Sequence, residues 1–274
     1  MERYNFICVN FNGQGFTKDL HNSLKKMIVP IGVSIRLIIV DNNSDKKDLL
    51  ELRGIIAEKV DVELIELESN IGYFPAMNVG IEFAKTSKEE KIIIGNNDLI
   101  YDKNFLVELI NLEYQENTLV ISPDVVTLDG VHQNPLSTKK LTKLEILKED
   151  IYYSNYYVSR LLITLKRCFS ILTGARKIKP NHRVNTNMVI NRGIGACYYL
   201  TDAFFRHYKL LDDRVFMWGE EALLSNQVQK VGGVILYAPA LVVQHVESGT
   251  VKKMLTKKRY NIVKNSYKIY REYL

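Results

Sequence analysis

Lys91-Ile92-Ile93-Ile94-Gly95-Asn96-Asn97-Asp98 decides how the rest of the chain is read. A short β-branched run stops abruptly in a polar, amide-rich turn, the pattern of a strand buried on both faces where it leaves a parallel sheet. The same pattern occurs three times upstream. The runs 4–9, 35–40 and 62–67 end in Asn10-Phe11-Asn12-Gly13, Asp41-Asn42-Asn43-Ser44 and Ser69-Asn70-Ile71-Gly72. Between and beyond them, residues 19–27, 46–58, 75–85 and 104–114 carry apolar side chains at helical spacing, and Pro75 suits a first helical turn. Strand alternating with helix predicts an α/β fold on a mostly parallel central sheet, with 119–122 as the next strand.

The bulk properties agree with one enzyme-sized unit. A chain of 274 residues lies near the upper size of a single hydrophobic core. With 46% hydrophobic and 25% charged residues it is not a disordered chain. Cys8, Cys168 and Cys197 form no C-x-x-C pair, which fits a reducing cytoplasm better than a disulfide scaffold. The chain opens with no secretory leader and contains no apolar run near the ~20 residues that cross a bilayer, so neither export by that route nor a membrane span is expected. The net charge of +6 is uneven. Residues 160–183 and 252–274 each carry +7, leaving −8 on the remainder, so the basic character belongs to two segments.

After Asp129 the pattern changes to a polar, tyrosine-rich and then basic stretch, too long for an ordinary loop and read as an insertion with structure of its own. The α/β style resumes with a strand at 196–200, helices at 202–208 and 220–231, and strands at 234–237 and 241–244. The expected organisation is a nucleotide-binding half (1–128), an insertion (129–191), a second half of the same domain (192–250) and a basic amphipathic C-terminal helix (251–274).

Ligands of open parallel sheets bind beyond the carboxyl ends of the strands, where loops and helix N-termini converge. A dinucleotide site is excluded there, because Asn12-Gly13-Gln14-Gly15 lacks the third glycine of G-x-G-x-x-G, and no P-loop pattern is present. What remains is a nucleotide-sized crevice lined by amides and a few carboxylates.

The ordered set Val9-Asn10-Phe11-Asn12-Gly13, Val40-Asp41-Asn42-Asn43-Ser44, Asn70-Ile71-Gly72-Tyr73 with Ala76 and Asn78, Gly95-Asn96-Asn97-Asp98, Gly195-Ala196, Phe216-Met217-Trp218-Gly219-Glu220-Glu221, and Tyr237-Ala238-Pro239 with His245 resembles the family 2 glycosyltransferases of the glycosyltransferase A fold. The resemblance implies a single Rossmann-like domain and sugar transfer from a nucleotide diphosphate. It implies that Asp41 accepts hydrogen bonds from base or ribose with Val9, Asn10 and Phe11 nearby, and that Asn70, Asn78, Asn96, Asn97 and Gly195, with Gly193 before it, line the donor. Asp98 and His245 become ligands of Mn²⁺ or Mg²⁺, with Asn96 standing where many relatives carry Asp. Glu221 becomes the base of an inverting transfer, Glu220 orients acceptor or sugar, and Asp212 and Trp218 face the acceptor. Each residue also has a plainer reading: Asp41 and Asn96-Asn97-Asp98 as turn formers, Glu220 and Glu221 as acids favoured by a helix dipole, His245 as a structural histidine.

The resemblance further implies a UDP-, dTDP- or GDP-linked hexose or deoxyhexose donor and a lipid-linked or oligosaccharide acceptor, as in O-antigen or capsule synthesis by rhamnosyltransferase-like enzymes of bacteria. On a helix over 255–274, Leu255, Ile262, Val263, Ile269, Tyr270 and Tyr273 share one side, while Lys253, Lys257, Lys264, Lys268 and Arg271 share the other. Such a helix either lies on an anionic membrane at its cytoplasmic face or docks on the protein, and 161–172 with its flanking Arg160, Lys166, Arg167, Arg176, Lys177 and Lys179 offers a second contact. No nucleic-acid motif accompanies the charge. Two other functions share the pattern: a non-catalytic nucleotide or sugar binder, and a sugar-phosphate nucleotidyltransferase, whose glycine-rich, lysine-containing N-terminal loop is missing.

Overall fold

The first half folds as the alternation predicts. In the computed structural model, which describes residues 1–55, 60–87, 89–172, 183–246 and 257–274, β1 (Glu2–Asn10), β2 (Val33–Asp41), β3 (Asp61–Glu66) and β4 (Glu90–Asn96) pair in parallel in the order β3-β2-β1-β4. Ile38, Ile39 and Val40 of β2, with Ile92 and Ile93 of β4, are wholly buried, because helices cover both faces of the sheet. One face receives Leu20 and Leu24 of α1 (Gln14–Lys25), Leu52 of α2 (Lys46–Arg53) and Phe105, Leu106 and Leu109 of α4 (Phe105–Ile110). The other receives Phe74, Met77 and Ile81 of α3 (Tyr73–Ala84).

The second half departs from the simple parallel expectation in ways that build the site. With β5 (Leu99–Tyr101), β6 (Thr118–Thr127), β8 (Cys197–Leu200) and β9 (Val234–His245), the full order is β3-β2-β1-β4-β8-β6-β9-β5, and β7 (Met188–Ile190) is added on β9. The strand expected at 119–122 is β6 (Thr118–Thr127), and it does not adjoin β4, because β8 (Cys197–Leu200) lies between them, antiparallel to both. The two strands expected at 234–237 and 241–244 are one, β9 (Val234–His245). Its pairing with β6 skips from Ala238 to Val242, so Pro239, which has no N–H to donate, falls in the irregularity. A three-residue strand, β5 (Leu99–Tyr101), has no periodicity to betray it and pairs antiparallel with the end of β9, Leu99 opposite His245.

Helices α7 (Asp202–His207) and α8 (Glu220–Lys230) lie close to their expected places. The insertion contains a helical pair, α5 (Lys143–Ser154), whose start is fixed by a reciprocal Thr142–Glu145 capping box, and α6 (Tyr156–Leu172). The C-terminal helix α9 (Lys257–Tyr270) ends in a 3-10 turn (Arg271–Tyr273) and docks on the protein. Its buried positions are Tyr260, Ser266 and Tyr267, and Ile262, Val263 and Ile269 are half-buried. Tyr267 stacks on Tyr153 at 4.4 Å and donates to Asp150 at 2.7 Å, and the Arg271 guanidinium holds the other Asp150 oxygen at 2.6 Å. Arg176, Lys177, Lys179, Lys253 and Leu255 lie outside the described residues. No described helix is long and apolar enough to cross a membrane.

Candidate active site

The strand ends converge as the order of the sheet requires, and the first of them is a polar knot. Asn10, at the end of β1, is wholly buried; its Nδ2 donates to Asp41 at 2.9 Å, Asp48 at 2.7 Å and Ser44 Oγ at 3.0 Å. Its Oδ1 accepts from the Thr17 hydroxyl at 3.0 Å and from Asn97 Nδ2 at 3.1 Å. The second Asp41 oxygen takes the Ser44 N–H at 3.0 Å. Asp41 therefore closes its turn with both oxygens and is 1% exposed. Val9 packs partly buried on the core, and Phe11 presents its ring at the rim, 53% exposed.

Asn42 ties the second and third loops together: Nδ2 donates to Asn70 Oδ1 at 3.1 Å and to the Gly72 carbonyl at 2.9 Å, while Oδ1 accepts from Ile71 N–H at 2.9 Å. Asn78 serves a different loop. It exchanges hydrogen bonds with the Leu211 backbone in both directions, at 3.0 and 2.9 Å, and so pins to α3 the segment that leads to the acid pair. Asp212, in that segment, grips Arg214 with both oxygens at 2.8 and 2.7 Å.

Asn96, Asp98 and His245 meet at the end of β4. Pairing of β5 with β9 brings His245 Nε2 to 3.3 Å from Asp98 Oδ1 and 3.4 Å from Asn96 Nδ2. His245 Nδ1 lies 2.8 Å from Gln133 Oε1, an acceptor only, so Nδ1 donates in that contact and Nε2 is left to accept from Asn96 Nδ2, with the Asp98 carboxylate beside it. Tyr73 completes the cluster, donating from its hydroxyl to Asn96 Oδ1 at 2.7 Å and to the Gly195 carbonyl at 3.3 Å. Burial, reinforced by Glu220, pushes the Tyr73 hydroxyl well above its ordinary range, so it remains a donor. An amide at position 96 thus matches its neighbours, a donor on one side and a lone pair on the other.

The residues fit a divalent cation in chemistry and spacing. One carboxylate and one imidazole whose tautomer is fixed by an outer partner suit Mn²⁺ or Mg²⁺ completed by phosphate oxygens. Among the described residues no set of three His, Cys, Asp or Glu side chains gathers around one point, so phosphate would have to complete the site.

The acid pair opens α8 after a strained approach. Trp218 has φ +65° and Gly219 has φ +111°, two successive left-handed residues, the first of them bulky. A Cβ on Gly219 would lie 2.2 Å from the Tyr270 ring, so only glycine fits beneath α9. Ser266 of α9 donates to the Met217 carbonyl at 2.7 Å, Arg259 lies 5.2 Å from the Trp218 ring, and Arg214 donates to the Tyr273 hydroxyl at 3.0 Å. The C-terminal helix and its 3-10 turn therefore meet the acid-pair loop at four points, Arg214, Met217, Trp218 and Gly219.

Glu221 accepts from Gly195 N–H at 3.2 Å, and a Cβ on Gly195 would meet that carboxylate at 2.9 Å. Glu220 is 5% exposed, and its Oε1 is buried without a hydrogen-bond partner among the described residues. Burial, and then the adjacent Glu221 charge, push its carboxyl up to about 8, opposed only by backbone N–H groups of Glu220 and Trp218. At neutral pH Glu220 is thus mostly a protonated acid able to donate.

A cavity of about 270 Å³ joins these groups, lined among others by Tyr73, Asn96, Gly195, Trp218, Glu220, Glu221 and His245. Of the residues expected at the site, Asn96, Asp98, Gly195, Trp218, Glu220, Glu221 and His245 come together. Asn10, Asp41, Asn70, Asn97 and Asn78 brace the loops around it, and Asp212 points to Arg214. A wider cleft of about 1070 Å³ between α1 and β5 is lined by Lys25, Lys26, Asp102 and Lys103 but holds none of the expected residues. The strain and the perturbed carboxyl lie in the smaller cavity, where chemistry is expected. Three contributors escaped the sequence reading. Tyr73 is visible only as part of a quoted block, Asp48 carries no mark beyond lying in the helical run 46–58, and Gln133 sits in a stretch without pattern.

Comparison with known proteins identifies the family and the fold. The model of glycosyl transferase family 2 matches residues 6–194, more than half of the chain. A low-salt glycan biosynthesis hexosyltransferase, Agl10 of Haloferax volcanii, is 23% identical over 222 residues, covering 81% of this chain and 60% of its own. Among solved structures, GalNAc-T7 with UDP, GalNAc and Mn²⁺ superposes with a TM-score of 0.62 at 18% identity, over 98% of this chain and 48% of that one. S. aureus TarS 1-349 in complex with UDP-GlcNAc gives 0.56 at 14% identity, over 96% of this chain and 64% of that one. The chain thus spans about half to two-thirds of the length of these proteins, and at such identities the structures establish the fold alone. With the family model spanning the parallel strands from Phe6 of β1 through β4, their polar loops and Asn96-Asn97-Asp98, the chain belongs to glycosyl transferase family 2.

Proposed function

We propose that this protein transfers a sugar, with inversion, from a nucleotide diphosphate donor to an acceptor hydroxyl. The observation that carries the proposal is the meeting of Asn96 and His245, 149 residues apart, in one cavity with Glu220 and Glu221. Glu221 takes the proton from the acceptor O–H as the oxygen attacks the anomeric carbon opposite the departing diphosphate; general base catalysis of this kind contributes roughly 10²–10⁴-fold. Gly195 N–H orients that carboxylate. Glu220, protonated at neutral pH, donates to a sugar or acceptor oxygen from the buried oxygen that lacks a partner among the described residues. Trp218 walls the acceptor side. Asp98 and His245 would hold Mn²⁺ or Mg²⁺, which neutralises charge on the leaving diphosphate.

The donor is a UDP-, dTDP- or GDP-linked hexose or deoxyhexose, and Phe11 at the rim is placed to cover its base. The GalNAc-T7 and TarS structures, solved with UDP or UDP-GlcNAc, support a nucleotide-sugar donor, and the Mn²⁺ in the former supports a cation. The acceptor is a lipid-linked oligosaccharide in bacterial surface polysaccharide synthesis, met by a peripheral protein at the inner face of the cell membrane. Incubation with a donor panel, Mn²⁺ and lipid-linked acceptor extracts, followed by mass spectrometry of released nucleotide diphosphate, tests the reading. Release from at least one donor is expected; a folded protein that binds a donor yet releases diphosphate from none overturns it.

A further inference from the structure

Helix α6 carries an apolar surface that the fold does not bury. Every residue from 160 to 169 is exposed, including Leu161 at 59%, Leu162 at 38%, Leu165 at 55% and Phe169 at 67%. At a hundred degrees per residue these four fall within an arc of about 100°, the width of a single apolar stripe. Globular helices present such stripes to a core, whereas this one faces solvent, with Leu144, Leu147 and Ile151 of the neighbouring α5 also exposed.

We propose that this stripe lies in the interface of an anionic lipid bilayer and is the protein's membrane seat. The proposal deepens the reading of the site as a transferase that meets a lipid-borne acceptor. Charge selects the occupant. Helix α6 carries Arg160, Lys166 and Arg167 and no acid, so Lys166 flanks the stripe while the two arginines lie toward the opposite side. An apolar stripe backed by cations fits acyl chains beneath anionic headgroups. Helix α6 of a second copy seated on the stripe would offer Lys166 no acid to pair with. At 17 residues with three cations the helix lies along a surface and does not cross it.

The seat also differs from the one the C-terminal charge suggests, because α9 spends its tyrosine face on protein. At the root of α6 the Tyr156 ring meets Tyr260 of α9 at 5.4 Å, and α9 in turn grips the loop of Trp218 and Gly219. The lipid-facing helix thus stands one helix away from Glu220 and Glu221.

The test is co-sedimentation of the full-length protein with vesicles of phosphatidylcholine alone and with a third phosphatidylglycerol. Binding to the anionic vesicles, weakened by high salt, is expected. The double variant Leu161→Glu, Leu165→Glu alters only exposed positions, so its melting temperature should match the parent while its vesicle partitioning falls at least tenfold. Unchanged partitioning of that variant, no binding by the parent, or a concentration-dependent dimer that the variant dissolves would each overturn the seat. Diphosphate release with a soluble acceptor is measured on both proteins in parallel. Equal release by both leaves the transferase reading standing whatever the vesicles show, and release by neither removes that reading without touching the vesicle result.

Discussion

Glu220→Gln isolates the most unusual group in the cavity. The side chains are nearly isosteric, and the amide oxygen can accept the backbone N–H bonds while the amide nitrogen replaces the acid proton. In the folded protein the Glu220 carboxyl titrates at about 8 against an ordinary 4.5. Between these values the folded state keeps a proton that the unfolded chain has released, so stability falls as pH rises through this window and is level outside it. At 1.36 kcal/mol per unit, the 2.5 units between 4.5 and pH 7 amount to about 3 kcal/mol at pH 7, against less than about 1 kcal/mol at pH 5. The parent should therefore lose about 2–3 kcal/mol between pH 5 and 7 that the Gln variant does not lose. Urea unfolding of both proteins at pH 5, 6, 7 and 8, followed by tryptophan fluorescence, measures the difference. If the stability gap between them is the same at every pH, Glu220 is not held protonated and its role as a donor in the transfer fails.

Other consequences are equally direct. Asn96→Asp keeps an acceptor for Tyr73 and adds a carboxylate beside Asp98 and His245, so the Mn²⁺ concentration for half-maximal release should fall about tenfold, about 1.4 kcal/mol of added attraction; an unchanged or higher requirement would place the cation elsewhere. Gly219→Ala forces a Cβ into the Tyr270 ring at φ +111°, which should cost about 1–3 kcal/mol in thermal or urea unfolding and lower kcat more than donor KM. Asn10→Ala leaves Asp41 and Asp48 without their shared donor, and a loss of about 3 kcal/mol is expected; a loss below 1 kcal/mol would show that the knot at the end of β1 is not structural.

Periodicity made the first half legible. Runs such as 35–40 and 91–98 alternate with apolar helices, and a parallel sheet follows from that alternation, whereas the order β3-β2-β1-β4 is set by pairings that no local pattern encodes. The second half was less so, because its pairings join distant segments by register. Nothing local in Cys197–Leu200 says that it intervenes between β4 and β6, and a strand as short as Leu99–Tyr101 has no period. The site shows the same division. Glu220, Glu221, Asp98 and His245 stood out as types in ordered blocks, yet the contact of His245 with Asp98 depends on the unforeseen β5–β9 pairing. The resemblance makes Asn10 and Asn78 donor contacts, whereas in the fold both, like Asn42, spend their hydrogen bonds holding loops together, since a buried amide must find partners within the protein. Composition located the charge at 252–274 but not its use; contacts of Tyr260 and Tyr267 with Tyr152, Tyr153 and Tyr156 turned that helix inward.

Glu221→Gln tests the central claim most directly. Donor binding is followed by thermal shift and nucleotide diphosphate release by mass spectrometry, with Mn²⁺ and acceptor present. If Glu221 removes the acceptor proton in the cavity it shares with Asn96 and His245, the variant should bind donor as the parent does while its release falls at least about 10²-fold. Release at the parent's rate, with the variant folded and binding donor, would contradict the account.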